Sequence, residues 1–349
     1  MKVLILRFSS LGDVVLATSA VENILSSHSS PEIFLLTKEA YVSLFQNDPR
    51  LKILSFQSNV GNIKQIAQLW RTAKVLRQLK FDLLLDLQRN PRSLLLRSIS
   101  GSKKVIAYPK GHLQRRSFVK KKYFEKPYTH AVDRYNMALK EAGIAASNRL
   151  PKLSLSQQEE QLARDLLERR CVSRDRPLVG IHFGAKHPAK RWGDEKFAEL
   201  SKVLAKEVDL NIVVIPSEED LSQEKLFREG GGNIFWTGAL SLRELKAVIS
   251  RCEVLICNDS GVMHVAVGLG VPVVAVFGPT HPCLGFYPLG EDDILLSSYE
   301  YCSPCSLHGE GKCFRDKKYC MENIPVHKVF DATVSILSKR RENVREGRP

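Results

Sequence analysis

Asp259, Ser260, Gly261 and His264 put a carboxylate, a hydroxyl, bare backbone and an imidazole directly after the apolar run Val254–Ile256. A second apolar run, Val273–Phe277, ends in Gly278-Pro279-Thr280. Between the two lie a short stretch with helical potential, Val262–Leu269, and a Gly270–Pro272 break. Two buried parallel strands joined in this way deliver both polar turns to one sheet edge, where open α/β folds bind ligands. Small residues at 260 and 261 let a ligand approach the backbone, and the free N–H groups of the following helix suit a phosphate. A lone histidine on a helix is usually structural, but His264 lies one turn beyond the polar turn, so it and Asp259 can face one pocket. The chemistry indicated is that of a nucleotide or nucleotide-sugar site.

Three other stretches carry reactive side chains. Asp13 follows Gly12 at the end of the loop Arg7-Phe8-Ser9-Ser10-Leu11-Gly12-Asp13 and at the start of a helix. Helix N–H groups keep a carboxylate there ionised, as a general base requires, while a plain N-cap uses the same residue type. His182-Phe183-Gly184-Ala185-Lys186, followed by Lys190-Arg191-Trp192, offers a small-residue turn and cations that suit a diphosphate; a solvated cationic loop reads the same way. Pro216-Ser217-Glu218-Glu219-Asp220 presents carboxylates to sugar or ribose hydroxyls, or caps the next helix. Four of the eight cysteines cluster as Cys302-x2-Cys305-x7-Cys313-x6-Cys320. One CxxC resembles half a zinc site, but the second pair is spaced too widely for a zinc ribbon, so reduced thiols holding a loop are expected and no metal is assigned.

The elements that must position these residues alternate. Strands are expected at Val3–Leu6, Ile33–Leu36, Leu51–Phe56, Leu83–Leu87 and Lys104–Ala107, with helices over Val14–Leu25, 63–80 and 129–143. After an irregular stretch and a charged helix over 156–170, the pattern restarts. Strands at 178–182, 211–215, 233–236 and 253–257 are interleaved with helices at 194–207, 219–229 and 241–250, and 324–340 suits a final helix. Strands alternating with helices mean parallel sheets covered on both faces. The expected organisation is a Rossmann-like domain over 1–155, a linker region over 156–176, a second Rossmann-like domain over 177–323 and a basic helical tail over 324–349. The two domains are expected to face each other across a cleft.

The 349 residues are 44% hydrophobic and carry a formal net charge of +14, which favours anionic partners. Much of the excess lies in Lys110, Arg115, Arg116, Lys120, Lys121, Lys122 and Lys126 against Glu125 alone. Lys2-Val3-Leu4-Ile5-Leu6 is too short for a secretory h-region, and Val262–Phe277 is too broken by His264, Pro272 and glycines for a membrane span. A cytoplasmic protein is expected, with scattered thiols rather than disulfides. No helix-turn-helix, RRM or zinc-finger signature accompanies the charge, so nucleic acid is not an expected partner.

Taken together, RFSSLGDVVLATSAV (Arg7–Val21), KRWGDEKFAEL (Lys190–Leu200), NDSGVMHVAVGLGVPVVAVFGPT (Asn258–Thr280) and the late CSPC…C…CM (Cys302–Met321) resemble glycosyltransferase family 9 over most of the chain. This is the family of ADP-heptose:lipopolysaccharide heptosyltransferases and their relatives. The resemblance implies an α/β GT-B fold, with the acceptor on the first domain and the nucleotide sugar on the second. It also implies inverting, metal-independent transfer without a cofactor, in which Asp13 is the base and Lys190 neutralises the donor diphosphate. Gly184, Ala185, Lys186, Asp259, Ser260, Gly261 and His264 would surround the donor, with Glu219 or Asp220 near its ribose. Ser10, Gly12, Arg115, Arg116, Lys120, Lys121 and Lys122 would serve an anionic lipopolysaccharide acceptor at the cytoplasmic face of the inner membrane. Pro216-Ser217 stands where a glycine-rich turn is common, Ser260 where many members have Thr, and Val262-Met263 where typical heptosyltransferases have Leu-Ser. Those departures leave open another nucleotide sugar, such as an N-acetylglucosamine donor, and a binding protein without turnover.

Overall fold

The computed structural model describes residues 1–57, 62–122 and 129–346. Contacts divide the chain into two units. The first, Met1–Gly111 with Thr129–Ser156, contains β1 (Lys2–Leu6), α1 (Leu11–Leu16), α2 (Thr18–Ser27), β2 (Glu32–Lys38), β3 (Lys52–Phe56), α3 (Asn62–Leu79), β4 (Leu83–Asp86), α4 (Pro91–Ile99) and β5 (Lys104–Ala107). The helix α5 (His112–Lys121) belongs by its contacts to the second unit, whereas the sequence placed it in the first domain. After it the chain returns to the first unit with α6 (Ala131–Ala142).

The first sheet is parallel with order β3-β2-β1-β4-β5. Val3, Leu4, Ile5 and Leu6 are fully buried, as expected for a strand covered on both faces. The helix expected over 14–25 is broken at Ala17. Thr18 Oγ1 donates to the Val15 carbonyl (2.7 Å) and Ser19 Oγ to that of Leu16 (2.8 Å), and such back-bonding bends helices. Helix α6 ends as predicted at Gly143, whose φ of 85° is the left-handed C-terminal cap that glycine takes without a Cβ penalty.

The second unit continues with α7 (Gln157–Glu168), β6 (Leu178–His182), α8 (Asp194–Glu207), β7 (Asn211–Val214), α9 (Glu224–Arg228), β8 (Ile234–Trp236), α10 (Leu242–Ile249), β9 (Val254–Asn258), α11 (Gly261–Gly268), β10 (Val273–Phe277), β11 (Ile294–Ser297), α12 (Tyr319–Glu322) and α13 (Val326–Arg345). Its sheet is parallel with order β11-β10-β9-β6-β7-β8. Every residue of β6, β9 and β10 is buried. Helix α13 contributes Val329, Ile336 and Leu337 to the same core as Trp192, Phe197 and Phe227, so the tail is part of this unit rather than an appendage. Helix α7, expected in a linker, is tied to α10 by an ion pair between Glu159 Oε1 and Lys246 Nζ at 2.6 Å, both side chains fully buried. Among the described residues no helix is long and apolar enough to cross a membrane.

Both sheets reverse direction beside their first strand, between β1 and β4 and between β6 and β9. The loops at the carboxyl ends of those strand pairs are where open parallel sheets bind ligands.

Candidate active site

In the first unit the reversal is filled by the loop after β1. Asp13 sits at the third position of α1, not at its N-cap, which is Ser10. The Asp13 Oδ2 accepts from the Ser10 amide at 3.0 Å and from the Ser10 hydroxyl at 2.9 Å, the reciprocal half of a capping box. The other oxygen, Oδ1, lies 2.5 Å from Arg7 Nη2. Burial pushes the Asp13 carboxyl up, but the Arg7 guanidinium and the Ser10 donors outweigh it and hold the group below the usual carboxylate range. Asp13 is therefore ionised at neutral pH.

That loop is clamped by its neighbour after β4. Gln88 Oε1 accepts from the Phe8 amide (2.9 Å) and the Ser9 amide (3.2 Å). Gln88 is itself presented by the fully buried Asp86, which accepts from the amides of Gln88 and Arg89 at 3.0 and 2.7 Å and from Ser93 Oγ at 2.9 Å. Sequence reading passed over Arg7, Asp86 and Gln88. The signal was the run Asp86-Leu87-Gln88-Arg89-Asn90 at a strand end, the same kind of polar turn that marks 259–261.

In the second unit, Asp259 follows β9 and Lys190 ends a short 3-10 turn, Pro188–Lys190. Lys190 Nζ donates to Asp259 Oδ2 at 2.7 Å, and Thr280 Oγ1, from the turn after β10, donates to the same oxygen. The turn is fixed from beneath: Asn258 Nδ2 donates to the Phe183 carbonyl (2.6 Å), and Asn258 Oδ1 accepts from the Trp192 amide (3.0 Å). Ser260 occupies the N-cap position of α11, and its hydroxyl is enclosed without a hydrogen-bond partner among the described residues. His264 is buried one turn on, and Gly261 opens the helix. Asp259, Ser260, Gly261, His264 and Lys190 are thus brought to the carboxyl ends of β6, β9 and β10, as is the turn Gly278-Pro279-Thr280 expected at the same edge; the bond from Thr280 to Asp259 is new.

The turn after β6 needs its glycine. A Cβ on Gly184 would lie 2.4 Å from Ser217 Oγ and 2.7 Å from Asp220 Oδ2. Asp220 is buried and paired with Arg191 Nη2 at 2.6 Å, so it is committed to the protein, whereas Glu219 is exposed on the 3-10 turn Glu218–Gln223. Ala185 is buried with its carbonyl accepting from Arg191 Nε at 3.4 Å, and Lys186 is exposed. His182 Nδ1 donates to the Ile215 carbonyl (2.9 Å), and burial pushes its pKa down, so it stays neutral.

The cysteine loop packs against Lys190. Its Gly309, with φ of 80°, leaves no room for a side chain: a Cβ there would lie 2.6 Å from Lys190 Cγ. Lys318 Nζ donates to the carbonyls of Pro188 (3.5 Å) and Arg191 (3.3 Å). Cys302, Cys305, Cys313 and Cys320 line one cavity of about 30 Å³ beneath Ala189 and Pro279. All four are free thiols; burial pushes Cys305 up to about 11 and Cys320 up to about 12, which keeps them protonated. Cys305 and Cys313 donate to the carbonyls of Cys302 and Lys317. No three His, Cys, Asp or Glu side chains among the described residues stand in a metal-holding arrangement.

The basic stretch is divided by α5. Arg116, Lys120 and Lys121 are exposed. Arg115 is buried with its guanidinium 5.3 Å from the Phe286 ring centroid, and Lys122 Nζ donates to the Pro304 carbonyl. Arg115 and Lys122 therefore anchor the helix instead of joining the outward set with Arg116, Lys120 and Lys121. Lys126 lies outside the described residues.

The profile of glycosyltransferase family 9 (heptosyltransferase) matches residues 69–311. A Salmonella typhimurium lipopolysaccharide heptosyltransferase 2 is 34% identical over 139 residues, which span 38% of this chain and 39% of that relative. A Haemophilus influenzae lipopolysaccharide core heptosyltransferase, OpsX, is 26% identical over 85% of this chain and 84% of its own length. Among solved structures, the E. coli ADP-heptose lipopolysaccharide heptosyltransferase II superposes with a TM-score of 0.73 at 19% identity, over 98% of this chain and 100% of that one, which confirms the GT-B fold.

Proposed function

The chain belongs to glycosyltransferase family 9, and from that membership we propose that it transfers heptose from ADP-heptose to an anionic lipopolysaccharide-core acceptor, with inversion and without a metal ion. The observation that carries the donor half is the pairing of Lys190 with Asp259 beside the α11 N-terminus, at the reversal of the second sheet. A diphosphate entering there meets the N–H groups of α11 and the Ser260 hydroxyl, which has no partner among the described residues. Its charge outcompetes the single Asp259 carboxylate for Lys190, which then neutralises the leaving nucleotide as the glycosidic bond to phosphate breaks. Asp259, held by Thr280, positions the lysine rather than binding phosphate itself.

Asp13 is the base. It takes the proton of the acceptor hydroxyl while that oxygen forms a bond to the anomeric carbon from the face opposite the departing diphosphate. The oxocarbenium-like transition state asks only for an in-line acceptor, a base and a neutralised leaving group. The relatives named for lipopolysaccharide-core heptosyl transfer support an anionic acceptor, and the exposed basic residues of α5 suit both that acceptor and attachment to the cytoplasmic face of the inner membrane.

Calorimetric titration of ADP-heptose, ADP, UDP, GDP and UDP-N-acetylglucosamine into wild type and Lys190→Ala tests the donor reading. A charge-assisted contact is worth about 1.5–3 kcal/mol, so adenine-nucleotide affinity is expected to fall about 10- to 100-fold in the variant. Preference for UDP would transfer the function to another nucleotide sugar within the family. Binding of none would favour a protein without turnover.

A further inference from the structure

We propose that Arg7 sets the direction of the base: it takes Oδ1 of Asp13 out of play, leaving Oδ2 as the oxygen that receives the acceptor proton in place of the Ser10 hydroxyl. The inference rests on reading Asp13 as the base and adds a positioning residue and an atom to it.

The two carboxylate oxygens have different surroundings. Oδ1 is shut off from solvent and faces Arg7 Nη2 at 2.5 Å. Arg7 is itself buried, its Nη1 donates to the Leu87 carbonyl, and its guanidinium lies 5.9 Å from the Tyr135 ring centroid. A guanidinium held at two points fixes the plane of the carboxylate it faces. Among the described residues Oδ2 is held by Ser10 alone, through the amide at 3.0 Å and the hydroxyl at 2.9 Å, and Ser10 is exposed. A hydroxyl rotor gives way readily to an incoming hydroxyl. The acceptor O–H then donates to Oδ2; its proton moves there, its oxygen bonds the anomeric carbon, and the electron pair of the breaking carbon–oxygen bond leaves with the diphosphate. Arg7 keeps its charge throughout.

The second consequence is in pH. Beyond Arg7 and Ser10, the groups around Asp13 are Tyr41, from the 3-10 turn Glu39–Leu44, and Tyr135, on α6, with Tyr108 and Arg134 behind it. Burial raises Tyr41 and Tyr135, so both stay neutral and leave Arg7 as the cation in contact with the base. Asp13 lies below the usual range, so activity that needs its carboxylate is lost only as pH falls through that lowered value. Without the Arg7 charge, burial remains and the acid limb moves to higher pH.

The test is the pH dependence of kcat and kcat/KM for wild type, Arg7→Gln, Arg7→Lys and Asp13→Asn, with calorimetric ADP binding and thermal melting on each protein. Glutamine keeps a polar amide but carries no charge. In Arg7→Gln the acid limb is expected to rise by about one pH unit or more and kcat at pH 7 to fall about 10-fold or more, with ADP affinity unchanged. Arg7→Lys should return the limb to near its wild-type position. Wild-type kcat and limb in Arg7→Gln, with Asp13→Asn inactive, would overturn the role of Arg7 and leave the base assignment standing. An Asp13→Asn variant as active as wild type would remove the base assignment itself, and this inference with it. Should Arg7→Gln not fold, Arg7→Lys decides: an amine cannot hold Leu87 and Asp13 together, so kcat drops several-fold with the limb in place, and an unchanged kcat counts against the proposal.

Discussion

At the scale of single residues, a carboxylate–cation pair lies at the reversal of each sheet: Asp13 with Arg7, both from the segment after β1, and Asp259 after β9 with Lys190 after β6. The carboxylates and Lys190 were legible because small residues flank them in turns after apolar runs. Arg7 and Thr280 were not, because each sits at a strand end where its partner is set by packing rather than by spacing. The cysteine loop was legible as a cluster but not as the floor under Lys190. Gly309 and Gly311 separate that contact from backbone strain. Both have positive φ, 80° and 87°, so alanine costs about 1–2 kcal/mol of conformational energy at either. Only at 309 does the new Cβ collide with Lys190; at 311 nothing lies within 4 Å. Gly309→Ala is expected to weaken ADP binding about 10-fold or more, and Gly311→Ala to lower the melting temperature alone. Equal ADP affinities in the two variants, by calorimetry, would show that the loop does not position the lysine.

At the scale of elements, strands buried on both faces and helices with an apolar stripe were read within a residue or two, as β1, β6, α8 and β10 show. Elements set by other forces were missed. Helix α4 begins where Asn90 and Ser93 exchange side-chain-to-amide bonds at 2.9 Å each, but its Leu94-Leu95-Leu96 run leaves Leu94 half exposed, with no clean helical period. Helix α5 buries Phe118 against Cys283 and Leu284 and Arg115 over Phe286, and otherwise shows charge, which gives no apolar stripe to read. β11 is a four-residue, half-buried edge. The charged helix α7 was seen, but not that its Glu159 meets Lys246 in full burial. Removing one member of such a pair strands the other charge, at a cost of about 3–5 kcal/mol. Lys246→Met should therefore lower unfolding stability by that amount in denaturant titration, and Glu159→Gln with Lys246→Met should recover part of it. Single variants within about 1 kcal/mol of wild type would mean that the pair is solvated after all.

At the scale of the whole molecule the net charge of +14 has to meet something, and α5 decides which part of it is available. The sequence treated Arg115, Arg116 and Lys120 to Lys122 as one basic stretch, but packing splits them. Arg115 over Phe286 and Lys122 on Pro304 are structural, so substituting them would damage the second unit and mimic a loss of binding. Arg116, Lys120 and Lys121 point outward and touch neither Lys190 nor Asp259. Each outward cation near an anionic surface contributes about 1 kcal/mol at moderate salt, and screening removes it within about a Debye length. Replacing the three with glutamine should thus raise the KM for an anionic lipopolysaccharide acceptor about 10-fold or more at low salt, flatten its salt dependence, and leave ADP affinity and the melting temperature where they were. Steady-state kinetics at two ionic strengths checks this. An unchanged acceptor KM would mean that the positive charge serves solubility alone and that the acceptor is recognised through its neutral hydroxyls.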